Sequence, residues 1–200
     1  MTTPFDKLAA EYDVSWTNSR NGRSQRNAVW KEIDQHFPPG QRVLDAGCGT
    51  GEDALHLMAR GVQVDAIDAS IEMVRIARQR GVATRRLRIE DLNELEGPYD
   101  GALSNFGALN CVADLPACGV QLARLVRPGG KLAVCLMPLL CWSELLRFEL
   151  RRLRPHVVWR GMPVQYPSHA EVIRAFSQFH LIRKRSIALR DHCLYVFGRL

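Results

Sequence analysis

From residue 42 onward, the apolar positions of this chain switch repeatedly between two periods. Arg42-Val43-Leu44-Asp45 is a short apolar run that ends at a glycine cluster, the pattern of a buried strand. Over 52–60 the spacing becomes helical, with Leu55, Met58 and Ala59 on one face and Gly61 as the stop. Residues 62–67 predict a second strand. Ser70 is a good N-cap for a helix over 71–80, which again stops at a glycine, Gly81. Strands over 84–89 and 99–104, a helix over 116–125 and an apolar strand over 131–137 continue the rhythm. Strands alternating with helices of about ten residues mean βαβ units and a parallel sheet, with right-handed crossovers laying helices on both faces.

The two ends break this rhythm. Residues 5–36 read as mostly helical and close at Pro38-Pro39-Gly40. Beyond Met137, one helical face collects Trp142, Leu145, Leu146, Leu150 and Leu153, and the other collects Glu144, Arg147, Arg151 and Arg154. That predicts a basic amphipathic helix over 142–153. A short helix near 169–177 and two strands over 181–188 and 193–198 complete the chain.

Composition narrows the class. The 200 residues, 46% apolar and 24% charged, fit one soluble globular domain. No apolar run reaches the ~18–20 residues that span a bilayer. The first residues lack the basic-then-apolar layout of a signal peptide, so the expected location is cytoplasmic. Cys48, Cys111, Cys118, Cys135, Cys141 and Cys193 form no C-x-x-C pair and lie mostly in apolar stretches, which argues for buried free thiols rather than a metal site or disulfides. The net charge of +6 is carried mainly by arginine, with acidic residues interspersed. A solvated basic surface is the plainer reading, and attraction to an acidic partner the alternative.

The chemistry concentrates at Val43-Leu44-Asp45-Ala46-Gly47-Cys48-Gly49-Thr50-Gly51-Glu52, where a strand runs into three alternate glycines and a helix follows. Glycine belongs where the backbone takes positive φ or where a ligand touches the main chain. A crevice at the end of a first parallel strand is where open α/β sheets bind nucleotides. A dinucleotide site would need glycine where Glu52 stands, with pyrophosphate on the helix N-terminus. Glu52 and Asp53 repel pyrophosphate and suit a cation. No Gly-Lys-Ser/Thr occurs, so a phosphate-binding loop is excluded as well. The site asks for a positively charged nucleoside without phosphates. Asp68, ending the second strand, can accept from a ribose, and Glu90-Asp91-Leu92 after the third strand can accept from an adenine amino group. Taken singly, the glycines read as turns, Asp68 as a surface acid, and Glu90, Asp91 and Glu94 as a solvated loop. His56 reads as a packed or exposed helix residue.

Asp45-Ala46-Gly47-Cys48-Gly49-Thr50-Gly51 resembles the glycine-rich motif of class I S-adenosylmethionine-dependent methyltransferases. Asp68 and Asp91 match that family's ribose and adenine acids, and Arg124 to Leu132 matches the turn into its fifth strand. The resemblance implies an α/β fold, a doubly wound, seven-stranded, mostly parallel sheet with a C-terminal antiparallel hairpin. It implies one domain over 1–200, with an N-terminal helical lid at 1–36 and a cofactor-binding core at 42–137. A helical insertion on the acceptor side would occupy 138–178, and the terminal strands 180–200. S-adenosylmethionine contacts are expected from Asp45, Gly47, Cys48, Gly49, Gly51, Asp68, Ala69, Met73, Asp91, Leu92, Asn105 and Phe106, with no metal.

The implied reaction is in-line attack of an acceptor on the sulfonium methyl. Ser104-Asn105-Phe106-Gly107-Ala108-Leu109-Asn110 lacks the Asn/Asp-Pro-Pro-Tyr/Phe signature of nucleic-acid amine methylation, which weighs against DNA or RNA and for a small-molecule acceptor. Tyr12, in the lid, is expected near the methyl, with Trp16, Arg20 and Arg23 following, and Trp142, Tyr166 and His169 on the other wall. His169 is the candidate base. Two alternatives stand beside this reading: a quinone-like or lipid acceptor reached through helix 142–153 at a membrane surface, and a non-catalytic cofactor-binding module that regulates a partner.

Overall fold

The computed structural model describes residues 3–139, 156–159, 162–187 and 192–200. The core carries the expected alternation: β1 (Arg42–Ala46), α3 (Glu52–Ala59), β2 (Gln63–Asp68), α4 (Ile71–Gln79), β3 (Thr84–Arg86), β4 (Tyr99–Ser104), α5 (Leu115–Leu125) and β5 (Val126–Leu136). It is preceded by α1 (Pro4–Tyr12), a π-helical turn at Asp13–Thr17 and α2 (Arg20–Ile33). After it come β6 (His156–Trp159), β7 (Met162–Gln165), α6 (His169–Ala175), β8 (Phe179–Ile187) and β9 (His192–Arg199). The main sheet has seven strands in the order β3-β2-β1-β4-β5-β9-β8. β1 to β5 run parallel, and β9 pairs antiparallel with both β5 and β8. The strand order reverses between β1 and β4, which opens a crevice at their carboxyl ends.

Strand periodicity sorts the core into two layers. Val43, Leu103, Ala133, Cys135, Leu194 and Val196 face α2 and α3, meeting Val29, Ile33, Ala54 and Leu57. Their neighbours Leu44, Ala102, Leu132, Val134, Tyr195 and Phe197 face α5 and α6, meeting Leu122, Leu125 and Phe176. Each large apolar side chain so buried contributes about 1.5–3 kcal/mol. α2 is further tied to β8 by the buried Glu32, ion-paired with Arg183 and Arg185.

Between 138 and 178 the structure departs from the expected helical insertion. β6 and β7 form a separate antiparallel ladder. Gln165 pins it to the core by donating to the carbonyls of Val112 and Ala113, at 2.9 and 2.6 Å. Pro163 and the β-branched Val157, Val158 and Val164 fit a two-stranded ribbon better than a helix interior. The helix expected over 142–153 lies outside the described residues. No helix among the described residues is long and apolar enough to cross a membrane.

Several surface arginines pair with the interspersed acids: Arg42 with Asp65, Arg75 with Glu72, Arg88 with Glu90 and Arg127 with Asp100. Such pairs contribute little to stability but neutralise the basic surface locally. Cys48, Cys111, Cys118, Cys135 and Cys193 are free, four of them buried. A groove of about 630 Å³ opens beside Arg42, Leu44, Asp65, Thr84 and Tyr99, and none of the candidate site residues lines it.

Candidate functional site

The three glycines of the loop after β1 serve different purposes. All take positive φ: 83° at Gly47, 55° at Gly49 and 86° at Gly51. A Cβ on Gly47 would stand 2.4 Å from that of Ala108, and one on Gly51 would meet Val82 and Ala77 at 3.0 and 3.2 Å. These two are fixed by packing inside the protein. A Cβ on Gly49 would meet nothing within 4 Å, so this position alone leaves its side-chain space open at the crevice. The sequence pattern could not separate packing glycines from the one a ligand can approach.

Asp68 holds the loop to the sheet. Its Oδ2 accepts from the Gly49 backbone N–H and its Oδ1 from that of Ser70, both at 2.8 Å. Each oxygen keeps a further lone pair for a ribose hydroxyl. Burial pushes the Asp68 carboxyl up, against the N–H groups that favour its charged form. Asp91 sits half-exposed in the 3-10 turn after β3, while Met73 and Leu92 are buried and Leu92 belongs to the core. Ala69 lies half-buried between Asp68 and the Ser70 cap of α4.

Asp53 departs from the role expected of it. Rather than offering a charge to a ligand, it is 6% exposed and accepts from Trp30 Nε1 at 2.7 Å and Asn105 Nδ2 at 3.1 Å. It also pairs with Arg26 at 2.5 Å. Arg26 is buried as well, and its guanidinium lies 4.8 Å from the centroid of the Phe106 ring. Phe106 follows β4 with φ of 49°, a left-handed conformation that costs a bulky residue about 1–3 kcal/mol and gathers at functional sites. Trp16 and His192 meet the same ring edge-on, with centroids 6.0 and 5.3 Å away.

Asp45, ending the buried face of β1, is 1% exposed, and its Oδ2 has no partner among the described residues. Burial, reinforced by the Asp53 carboxylate, pushes its carboxyl well above the ordinary range. The unfolded chain therefore ionises more readily at this residue, and stability falls as pH rises through and above the unfolded value near ~4. Asp45→Asn removes that burden. The empty variant should melt about 2–4 °C above the parent at neutral pH, with the gain shrinking toward about pH 4. Scanning calorimetry at both pH values checks this, and an equal or lower neutral Tm contradicts it.

The N-terminal segment is seated on this loop. The Ser70 hydroxyl donates to Asp6 at 2.6 Å and the Thr50 hydroxyl to Asp13 at 2.7 Å, and Arg80 pairs with Asp13. Tyr12, half-buried between them, has its phenol pushed up to about 12 by burial. The structure thus gathers Tyr12, Asp45, Gly49, Asp68, Asn105 and Phe106 around one crevice. His169 is placed elsewhere. It begins α6, is exposed, and stacks at 5.7 Å on Tyr195, whose ring belongs to the opposite face of the sheet from Arg26 and Phe106. His56 is packed, stacked on Trp30 at 4.0 Å and bonded to Asp34 at 2.7 Å.

Two residues at the site went unread in the sequence. Arg26 could have been flagged by the helical spacing of Gly22, Arg26, Val29 and Ile33, which puts a cation on a buried stripe. His192 had no local signal, because only the antiparallel pairing of β9 brings it to the ends of β4 and β5.

Comparison with known proteins identifies the family and the fold. Residues 43–130 match the family model for a methyltransferase domain. A demethylmenaquinone methyltransferase of Corynebacterium kroppenstedtii is 31% identical over 181 residues, 86% of this chain and 77% of that protein. A malonyl-[acyl-carrier protein] O-methyltransferase of Serratia marcescens is 39% identical over 132 residues, 65% of this chain and 49% of that protein. Among solved structures, the putative methyltransferase in complex with the Haloferax volcanii Trm112 methyltransferase activator superposes with a TM-score of 0.79 at 19% identity, covering 100% of this chain and 99% of that one. The chain belongs to the class I S-adenosylmethionine-dependent methyltransferases.

Proposed function

We propose that this enzyme transfers the methyl group of S-adenosylmethionine to a small, planar, conjugated acceptor held between the N-terminal lid and the ends of β4 and β9. The observation that carries this reading is the aromatic wall in which Trp16 and His192 meet the strained Phe106 edge-on. Aromatic surfaces favour flat acceptors through stacked and edge-on contacts worth about 0.5–1.5 kcal/mol each beyond burial. The relative whose name specifies demethylmenaquinone supports a quinol-like ring over other small molecules.

When bound, S-adenosylmethionine supplies an electrophilic methyl on a positively charged sulfur. The residues present fit it: open space at Gly49, spare lone pairs on Asp68 and an unpartnered buried oxygen on Asp45. Asp68 accepts from the ribose, Asp91 from the adenine, and Gly49 lets the nucleoside approach the backbone. Gly47, Cys48, Gly51, Ala69, Met73 and Leu92 shape that floor, and Asn105 holds the turn that presents Phe106. His192, in ring contact with Phe106, receives the acceptor's proton; His169 would have to act from across the sheet. The Tyr12 phenol stays protonated at neutral pH, so it serves as a donor and a wall rather than as a base. Holding acceptor and methyl in line supplies ~7–11 kcal/mol of the barrier reduction.

Labelled-methyl transfer from S-adenosylmethionine tests the acceptor class. Product formed with a reduced, demethylated naphthoquinone supports the reading, whereas transfer only to a malonyl thioester carboxylate overturns it. The lid gives a separate prediction, because water must be excluded while the acceptor reacts. Tyr12→Ala should lower turnover more than cofactor affinity, and hydrogen exchange over residues 5–20 should slow when the demethylated cofactor binds. Full activity in the variant together with unchanged exchange would make the segment a structural helix only.

A further inference from the structure

Phe106 keeps a backbone conformation that its own side chain disfavours, and one carboxylate reaches it from two directions. A φ of 49° at a bulky residue persists only where the surroundings over-determine it. The Phe106 backbone N–H donates to Asn105 Oδ1 at 3.0 Å, and the same amide donates through Nδ2 to Asp53 Oδ2 at 3.1 Å. The Phe106 ring lies 4.8 Å from the Arg26 guanidinium, which pairs with that same Asp53 oxygen at 2.5 Å. Trp30 Nε1 donates to the other oxygen, Oδ1, at 2.7 Å and so fixes the carboxylate in turn. Asp53, Asn105 and Arg26 are each 6% exposed, which seals the network from solvent. Replacing a buried ion pair by apolar residues of similar volume is often neutral or stabilising, so stability alone does not account for this one. The network begins on α3, just beyond Gly51 of the glycine loop, and ends on the ring that Trp16 and His192 meet edge-on.

Resting on the acceptor wall proposed above, we propose that Asp53 is a positioning residue for the methyl transfer. Through Asn105 it holds the backbone of Phe106, and through Arg26 it holds the ring. It thereby presents the surface against which the acceptor lines up with the sulfonium methyl. The acid that the sequence offers to a ligand cation serves the acceptor side instead. Without its charge, Asn105 and Arg26 lose their common anchor. Phe106 then relaxes to negative φ, and its ring turns away from Trp16 and His192.

Two variants and three readouts test this. Asp53→Asn keeps the shape but not the charge that holds Arg26, whereas Asn105→Ala cuts the backbone link and leaves the Arg26–Asp53 pair in place. Each should lower kcat toward a reduced, demethylated naphthoquinone by about tenfold or more and change S-adenosylhomocysteine affinity by less than about threefold, because a misplacement of ~1 Å at the reacting groups can cost ~10²-fold in rate. Each should also shift the imidazole proton resonances of His192, assigned by their loss in His192→Gln, since that ring stands 5.3 Å from Phe106 and feels its ring current. Parent-like kcat, or an unmoved His192 signal in folded variants, overturns the proposal and leaves Asp53 a structural ion pair. A loss of S-adenosylhomocysteine affinity as large as the loss in kcat overturns it too, by making Asp53 part of the cofactor site. Should Asp53→Asn unfold, Asn105→Ala decides, and failure of both to fold makes the network core structure and overturns the proposal. A parent that does not methylate the naphthoquinone rejects the planar acceptor instead, and the His192 signal then decides the positioning role by itself.

Discussion

Replacing Asp68 by alanine should reduce affinity for S-adenosylhomocysteine by well over tenfold. Two contributions add. The ribose loses a charged acceptor, each such bond being worth ~1.5–3 kcal/mol. The glycine loop also loses its tether, because the same carboxylate accepts from the Gly49 and Ser70 backbone N–H groups. The second contribution makes Asp68→Asn informative: its carbonyl oxygen preserves one tether while the charge is gone, so its affinity should fall between parent and alanine variant. Calorimetric titration of the three proteins checks the order. Parent-like affinity in a folded Asp68→Ala protein would move the ribose contact to another residue.

The second large effect is expected at Gly49. Leucine there meets no protein atom around its Cβ, so the native packing survives apart from a φ of 55° that a non-glycine residue adopts at a cost of about 1–2 kcal/mol. Its side chain would nevertheless fill the only loop glycine position left open toward the crevice. Gly49→Leu should remain folded, with Tm lowered by about 2–8 °C, and should lose at least a hundredfold in cofactor affinity. Gly47→Ala gives the contrast, since its Cβ would come 2.4 Å from that of Ala108. That variant should lose stability first, and affinity through the distorted loop. If Gly49→Leu binds normally, the nucleoside does not approach the backbone here.

The sheet was legible because it rests on local signals. Each βαβ unit announced itself by a change of period and a glycine stop, and β1 to β5 stand close to where the pattern put them. The positions of the glycine loop after β1, of Asp68 at the end of β2 and of the N-terminal helices were readable for the same reason, since each follows from a short local pattern. What escaped was decided by tertiary contact. Asp53 looked like a charge for a ligand, but Arg26 neutralises it and Trp30 and Asn105 donate hydrogen bonds to it, all three distant in sequence. His169 began a helix with a capping Ser168, and nothing local revealed that α6 would carry it to the face of Tyr195. The β6–β7 ladder was hidden behind a helical expectation for the whole stretch 138–178. His192 reached Phe106 through strand pairing alone.

The central claim is that this crevice binds a sulfur nucleoside and not a dinucleotide. The most direct measurement is calorimetric titration of the purified protein with S-adenosylmethionine, S-adenosylhomocysteine and NAD under identical conditions. Saturable binding of both sulfur nucleosides, with no heat from NAD, is the predicted result. Saturable binding of NAD, with no heat from either sulfur nucleoside, would contradict it.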